Sequence, residues 1–503
     1  MSRADRAALL LVLITIPFTW LIAEGVFERM PHLEDEMAFV WQAQVIAHGD
    51  LTIASPPHPK SFLVPFVIDY QGQRFAKYPL GWPVVLSLGE RLGVPHLINP
   101  LLAALAIWLT YRLGKKLFGA KVGLLAALLT LSSPFFLMNS GTLLSHPFGL
   151  VLSLVFVLAW IDTCGASEHL PAWLPPLTAG SSLGLLVLTR PLTALGVALP
   201  FGIHGMYLLI SRRDRVKPLR IITVGTLALG VGSLHFLWQY ALTGDPWLNP
   251  YTLWWSYDKI GFGSGAGITT TGHSLYLGWV NTVFNLHMGL YDLYGWGPFS
   301  VCFLPFGLWA IRKNSPALLM TAVFPSLVFV YLFYWVGSWL FGPRYYYEGL
   351  YSLTLISAAG VVWVKGLFGS QGKAWTFLTT GQKVRSIAVC TWLALFVGVN
   401  LAVYLPLRLD GLYGLYGINR SRLQPFLTEE AQALVPALVI VHPDQWTEYG
   451  ALLDLEDPYL TSPFIFAYTR GGKADAELAS TYPERTTVHY YPQDPYVFII
   501  YGK

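Results

Sequence analysis

The chain has 503 residues, of which 54% are hydrophobic and 12% charged, with a formal net charge of +4. A mean hydropathy of +0.50, with apolar runs of bilayer length recurring to about residue 405, excludes a water-soluble globular protein and indicates a polytopic membrane protein. The positive charge comes from short basic clusters between apolar runs and gives no sign of nucleic-acid binding, while 3 cysteines do not support a disulfide framework or a thiolate metal site.

The first apolar run, Ala7 to Ala23, follows Arg3 and Arg6 and is longer than a signal-peptide core, so it is expected to stay as a first span. Basic residues cluster at Arg3/Arg6, Arg112/Lys115/Lys116/Lys121, Arg212/Arg213/Arg215/Lys217, Arg312/Lys313 and Lys365/Lys373/Lys383/Arg385. The positive-inside rule then puts the N-terminus in the cytoplasm of a plasma (inner) membrane protein. Eleven spans are predicted, near 7–27, 95–113, 121–139, 146–163, 174–189, 192–210, 219–241, 297–311, 316–338, 344–364 and 386–405. Pro175, Pro176 and Gly180 interrupt the fifth of these. Three longer segments, 28–94, 242–296 and 406–503, fall outside the cytoplasm. The last, with its many acids and short apolar stretches such as ALVIV and YVFII, reads as a small extracytoplasmic α/β domain following a 1–405 transmembrane domain. No internal repeat is visible, which argues against a transporter built from paired halves.

The first loop opens with Asp35-Glu36 just after the first span. Met37, Val40, Trp41 and Val45 recur at helical spacing, which predicts a helix lying in the membrane interface with Asp35 in its first turn. Acids there either complement the helix dipole, worth about 0.3–1 kcal/mol, or place a carboxylate where a lipid headgroup would sit. Lys77 precedes an apolar helix opened by Pro79, where a cation is disfavoured unless an anion such as Asp69 or a substrate phosphate sits beside it. Arg344 repeats that logic after Pro343, with a guanidinium suited to bidentate phosphate contact and Glu348 as the alternative partner. Trp82, Tyr345 and Tyr346 are aromatic side chains expected at interface depth, candidates to line a substrate there. Arg190 stands near membrane depth between two spans, a functional candidate by position, and His146 opens the fourth span on the same side.

In chain order these motifs are Asp35-Glu36 with the following Ala43 to Asp50, Lys77 to Pro83, the basic stretch Tyr111 to Gly119, Ser133-Pro134-Phe135-Phe136, and Pro343 to Tyr345. Together they resemble the GT-C glycosyltransferases, in particular the family 39 group of protein O-mannosyltransferases and the lipid A aminoarabinose transferase, over most of residues 7–365. The resemblance implies an α-helical polytopic GT-C membrane fold. It implies Asp35 as catalytic base with Glu36 its neighbour, and Lys77 and Arg344, with Arg190, as ligands of the donor phosphate. The implied activity is inverting transfer of a sugar from a polyprenyl-phosphate donor to a glycan, lipid or protein acceptor on the extracytoplasmic face. Two positions depart from the pattern: Ala76 stands where relatives of the aminoarabinose transferase carry an acid, and His146 where many relatives have Asp. The first weakens a metal site, so no metal ligand is assigned and a divalent ion is carried only as an open cofactor expectation. The rival readings are a transporter or flippase of lipid-linked sugars and a non-enzymatic cell-envelope assembly protein.

Overall fold

The computed structural model describes residues 2–165, 171–211, 217–368 and 379–500; Arg212, Arg213, Arg215 and Lys373 of the basic clusters lie outside them. Apolar helix forms at each predicted span. Helix α1 (Arg3–Gly25) leads to α2 (Glu34–His48) and α3 (Gly81–Arg91), which stand in the first loop. The bundle continues with α4 (Ile98–Phe118), α5 (Ala120–Leu131), α6 (Pro134–Gly141), α7 (His146–Cys164), α8 (Leu174–Thr189), α9 (Pro191–Ser211), α10 (Pro218–Gly232) and α11 (Leu234–Thr243). After α12 (Tyr251–Trp254) and α13 (Leu275–Asp292) in the second loop come α14 (Leu304–Ile311), α15 (Ser315–Thr321), α16 (Val323–Tyr331), α17 (Leu350–Val364) and α18 (Thr380–Val399).

Among the described residues, 7 helices are long and apolar enough to cross a membrane, and 8 if α5 and α6, bent by 60° at a short break, form one span. The shorter apolar stretches Leu174–Thr189, Gly297–Ile311 and Ser315–Tyr331 supply the other three predicted positions. The break between α5 and α6 follows from Ser133-Pro134: proline cannot donate to the helix ladder, and the Ser133 hydroxyl instead accepts from the Phe136 amide and starts a new helix. Pro175 and Pro176 do not interrupt α8, because they occupy its first turn, where no amide donor is needed.

Glycine sets the closest helix approaches. A Cβ on Gly114 of α4 would lie 2.5 Å from the Gly123 Cα of α5, and Gly180 and Gly184, one turn apart on α8, face Val224, Leu227 and Val231 of α10. Small residues at such positions let helices pack where lipid gives no hydrophobic drive between them.

The three long non-span segments meet at one end of the bundle. The first loop carries an antiparallel sheet of β1 (Ile53–Ala54), β2 (Val67–Tyr70) and β3 (Gln73–Ala76) in the order β1-β3-β2. The tail carries β4 (Ala437–Val441), β5 (Phe464–Tyr468), β6 (Thr486–Tyr490) and β7 (Phe498–Ile500) in the order β5-β4-β6-β7, with β7 alone antiparallel. This small α/β unit takes part of its core from the first loop. Phe62 is fully buried among Leu438, Ile440, Ile465, Ala467 and Leu478, the Tyr468 amide donates to the Ser61 carbonyl at 2.7 Å, and the Tyr459 hydroxyl reaches Asp50 at 2.7 Å.

Helix α2 is covered on more than one face. Met37, Ala38, Phe39, Trp41, Ala43 and Val45 are buried, because its apolar residues occupy more than one face and are covered by α3 and by the tail, where Gly450 approaches Met37. The span predicted to run to 338 ends at Tyr331; residues 332–343 follow with irregular backbone and carry Tyr334, Trp335 and Ser338 toward the head of α2.

Candidate active site

The head of α2 carries three consecutive acids with three different surroundings. Glu36, in the third helical position, is buried and turns back on its own helix start: its Oε2 accepts from the His32 and Leu33 amides, each at 3.0 Å. Its Oε1 accepts from the Leu143 amide at 2.7 Å, across in the irregular segment between α6 and α7. Trp82 donates its indole N–H to the carbonyl of that same residue, Leu143, at 2.8 Å. Glu36 and Trp82, expected beside the reacting groups, thus hold the amide and the carbonyl of one residue, Leu143, and join the first loop to the bundle. Three backbone amides reach the Glu36 carboxylate, two on Oε2 and one on Oε1.

Asp35 faces the other way. Its Oδ2 lies 3.0 Å from Arg344 Nη2, and its Oδ1 accepts from the Tyr78 hydroxyl. Burial alone would raise the Asp35 carboxyl, but Arg344, the Tyr78 hydrogen bond and Lys77 outweigh it and hold the group below its ordinary value. Arg344 is fixed in turn by its Nε–H bond to the Ser338 hydroxyl. Glu34, one residue earlier and half-buried, has no hydrogen-bond or ion-pair partner among the described residues. Burial and the neighbouring Asp35 charge raise it from its ordinary value, with Lys77 offsetting part of the effect.

Lys77 does not snorkel, and it does not pair with Asp69, whose cationic neighbour is Arg74 at 3.6 Å. It lies 3.3 Å from Asp258 of the second loop, with side-chain exposures of 3% and 1%. Four rings surround its ammonium: Phe66 at 3.6 Å from the centroid, Trp255 at 4.9 Å, Tyr251 at 5.0 Å and Tyr78 at 5.3 Å. Asp258 also accepts from Tyr334 at 2.9 Å and from Trp335 at 3.2 Å. Burial pulls Lys77 below its ordinary value, and Asp258 and Asp35 restore part of the loss.

Arg190, at the C-terminal end of α8, lies 3.1 Å from Glu348. It donates to the Ser145 hydroxyl at 3.2 Å and to Tyr331 at 3.3 Å. His146 meets the same Glu348 oxygen at 3.3 Å, so Glu348, which competes for Arg344 on sequence spacing, belongs to Arg190 and His146. Tyr345 stacks on Tyr331 with ring centroids 4.7 Å apart and has Arg190 and Arg344 at 5.9 and 5.8 Å from its ring. Tyr346 is buried between Phe324 and the edge of Tyr331, with ring centroids 5.9 and 6.2 Å away.

The structure therefore brings together Asp35, Lys77, Arg344, Arg190 and Tyr345, places His146 behind Arg190, and sets Glu36, Trp82 and Tyr346 into the packing. Each cation has its own carboxylate: Lys77–Asp258, Arg344–Asp35, Arg190–Glu348. Sequence reasoning misses Tyr78, Asp258, Tyr334 and Trp335. The available signal is an acid set inside an aromatic run, Trp254-Trp255-Ser256-Tyr257-Asp258. Among the described residues no group of three or more His, Cys, Asp or Glu could hold a metal ion.

A family model described as dolichyl-phosphate-mannose-protein mannosyltransferase matches residues 86–238, a stretch that holds Arg190 and His146 but neither Asp35, Lys77 nor Arg344. A search of curated protein sequences finds no match. Among solved structures, ArnT from Cupriavidus metallidurans bound to undecaprenyl phosphate is similar over 95% of this chain and 89% of its own, with a TM-score of 0.57 and 15% identity. The archaeal oligosaccharyltransferase AglB from Archaeoglobus fulgidus, in complex with an inhibitory peptide and a dolichol-phosphate, is similar over 95% of this chain and 69% of its own, with a TM-score of 0.50 and 14% identity. Since the correspondence with these GT-C enzymes covers 95% of the chain, this polytopic membrane protein has the GT-C glycosyltransferase fold.

Proposed function

We propose that this chain is an integral-membrane glycosyltransferase that takes a sugar from a polyprenyl-phosphate carrier and passes it to an acceptor at the extracytoplasmic end of the bundle. The observation that carries the reading is the convergence of Arg344, Arg190 and Lys77 around Asp35 and Tyr345. Three cations are a receptor for a phosphate, and at rest each is neutralised by a carboxylate that a phosphate can replace. Similar folds solved with undecaprenyl phosphate and dolichol-phosphate support a lipid-linked donor.

In this reading the prenyl chain lies between spans and the phosphate enters beside Tyr345. Arg344 and Lys77 stabilise the charge that develops as the C1–O bond breaks. An acid at the head of α2 takes the acceptor's proton; the motif resemblance gives that role to Asp35. One direct displacement inverts the anomeric centre. The test is release of free polyprenyl phosphate from a panel of radiolabelled polyprenyl-phosphate sugars, with membranes as acceptor source. Release by the wild type, strongly reduced in Arg344→Ala and only partly restored in Arg344→Lys, which keeps charge but loses the fork, supports the reading. A folded wild-type protein that releases no lipid phosphate from any donor refutes it.

A further inference from the structure

We propose that α13 is seated in a lipid leaflet at the extracytoplasmic end of the bundle, with the acyl chains of the bilayer as the partner of its outward face. Its pattern is the reverse of a helix that faces water, which turns polar groups out and apolar groups in. Leu275, Tyr276, Trp279, Val280, Val283 and Phe284 recur at helical spacing along one side and are 43–73% exposed. The opposite side, with Gly278, Thr282, Asn285 and Asp292, is small or polar and buried. From Ile260 to Tyr291 the chain holds no Asp, Glu, Lys or Arg. An exposed apolar stripe of this length without a charge marks a contact with membrane or protein. His287 and Tyr291 close the stripe with ring centroids 5.4 Å apart. Like Tyr276 and Trp279, they join an apolar body to a polar tip, which suits the boundary between lipid and water.

Topology sets α13 along the leaflet rather than across it. Between the basic cluster that ends at Lys217 and the pair Arg312/Lys313, the two crossings are supplied by Pro218–Thr243 and Gly297–Ile311. Both ends of α13 therefore lie on the extracytoplasmic side, and its 18 residues extend over about 27 Å. It packs on the opening turns of Gly297–Ile311, whose Phe299 and Phe306 are exposed and, in a crossing, face lipid. The same medium reaches the α13 stripe.

The inward side ties this helix to the site. Residues 332–343 have irregular backbone, and polar groups that no helix satisfies must find partners. The Asn281 side chain donates to the Trp335 carbonyl at 3.0 Å, and the Ser338 amide donates to the Asn285 side chain at 3.2 Å. Gly278 leaves room for the Leu332 carbonyl, which a Cβ there would approach to 2.4 Å. Asp292 accepts from Arg408 Nε and Nη2 at 3.1 and 3.2 Å, and Arg408 donates to the Leu340 carbonyl at 2.7 Å. The segment that brings Ser338 to Arg344 and Trp335 to Asp258 thus rests on a helix whose other side rests on lipid.

The experiment needs no sugar donor, so a failed transferase assay leaves its result intact. The full chain, with Cys164, Cys302 and Cys390 replaced by Ala, is placed in phospholipid nanodiscs with a nitroxide on Trp279→Cys or Val283→Cys. Glu477→Cys, on the exposed side of the tail helix Gly472–Thr481, is the water-facing reference. Paramagnetic relaxation by oxygen should exceed that by a water-soluble nickel chelate at both α13 positions and fall below it in the tail. Chelate relaxation as strong on α13 as in the tail would place the face in water. Weak relaxation by both agents would place it under protein, a second copy of this chain included; either result overturns the proposal. Where a label prevents folding, Trp279→Phe in the otherwise native chain takes its place: in nanodiscs of phosphatidylcholine with brominated acyl chains, it should lose part of the tryptophan emission that bromine quenches in the wild type. An equal quenched emission in the two proteins overturns the proposal as well.

Discussion

Replacing Asp258 by Asn would test whether the second loop holds the site together by charge. The substitution keeps the size of the side chain and an oxygen to accept from Tyr334 and Trp335, so packing and the two neutral hydrogen bonds survive. What is lost is the counter-ion of Lys77, in a pair with side-chain exposures of 3% and 1%. Stranding one partner of a buried ion pair costs about 3–5 kcal/mol. The four rings around Lys77 remain, and burial already draws its ammonium below its ordinary value, so deprotonation relieves part of the penalty and the expected loss is near the lower figure, about 3 kcal/mol. Lys77→Met in the same protein removes the stranded charge, so the double variant should be more stable than Asp258→Asn alone by at least about 1 kcal/mol. Thermal or denaturant unfolding in detergent, followed by tryptophan fluorescence from the Trp255 region, measures both. A single variant within about 1 kcal/mol of wild type, or a double variant whose losses simply add, would show that the ion pair is not what secures the loop.

Three further outcomes are expected. Phe62→Ala should destabilise the contact between the first loop and the tail by about 3–5 kcal/mol, the usual cost of emptying a buried aromatic site, seen as earlier proteolytic cleavage in the tail; an unchanged cleavage rate would contradict the shared core. The same contact should weaken with rising pH. Glu90 is pushed up to about 7 by burial and the Asp454 charge, and Glu456 up to about 8 by burial; the folded protein therefore holds protons that the unfolded chain has released, stability is greatest near the ordinary glutamate range, and it falls as pH rises through 7 to 8. Tail proteolysis that is slower at pH 8.5 than at pH 6 would reverse that sign. A reporter fused after Lys503 should read as extracytoplasmic and one fused after Arg215 as cytoplasmic; the opposite pattern would place the cluster around Asp35 on the wrong side for a lipid-linked donor from the outer leaflet.

The apolar segments are legible because hydropathy depends on composition alone, and each of the predicted spans meets a helix. Their ends are less so: the 60° turn at Ser133-Pro134 and the early stop at Tyr331 come from backbone donors and aromatic packing that a hydropathy window averages away. Local reasoning also finds Asp35 in the first turn of a helix, flags Lys77 and Arg344 as cations in need of anions, and singles out Arg190 by its depth. It cannot name the anions. Lys77 and Asp258 are 181 positions apart, Arg344 and Asp35 belong to opposite parts of the chain, and nearer acids such as Asp69 and Glu348 look equally suitable until the fold sends them elsewhere. Glu36 illustrates the converse: by sequence it stands beside Asp35 as a second candidate, and only the fold brings the amides of His32, Leu33 and Leu143 onto its carboxylate.

The insertion of Phe62 into the tail also orders events in time. Synthesis delivers the first loop early and β4 to β7 last, so a growing chain exposes Phe62, and the face of α2 that later rests on the tail, throughout the insertion of the spans. Only when the final strands have folded around that ring does α2 acquire its full support. The head of α2, with Glu34 and Asp35, is thereby tied to completion of the chain, and a truncated product arrested before β4 would carry every charged residue of the site while lacking the covering that holds them in register.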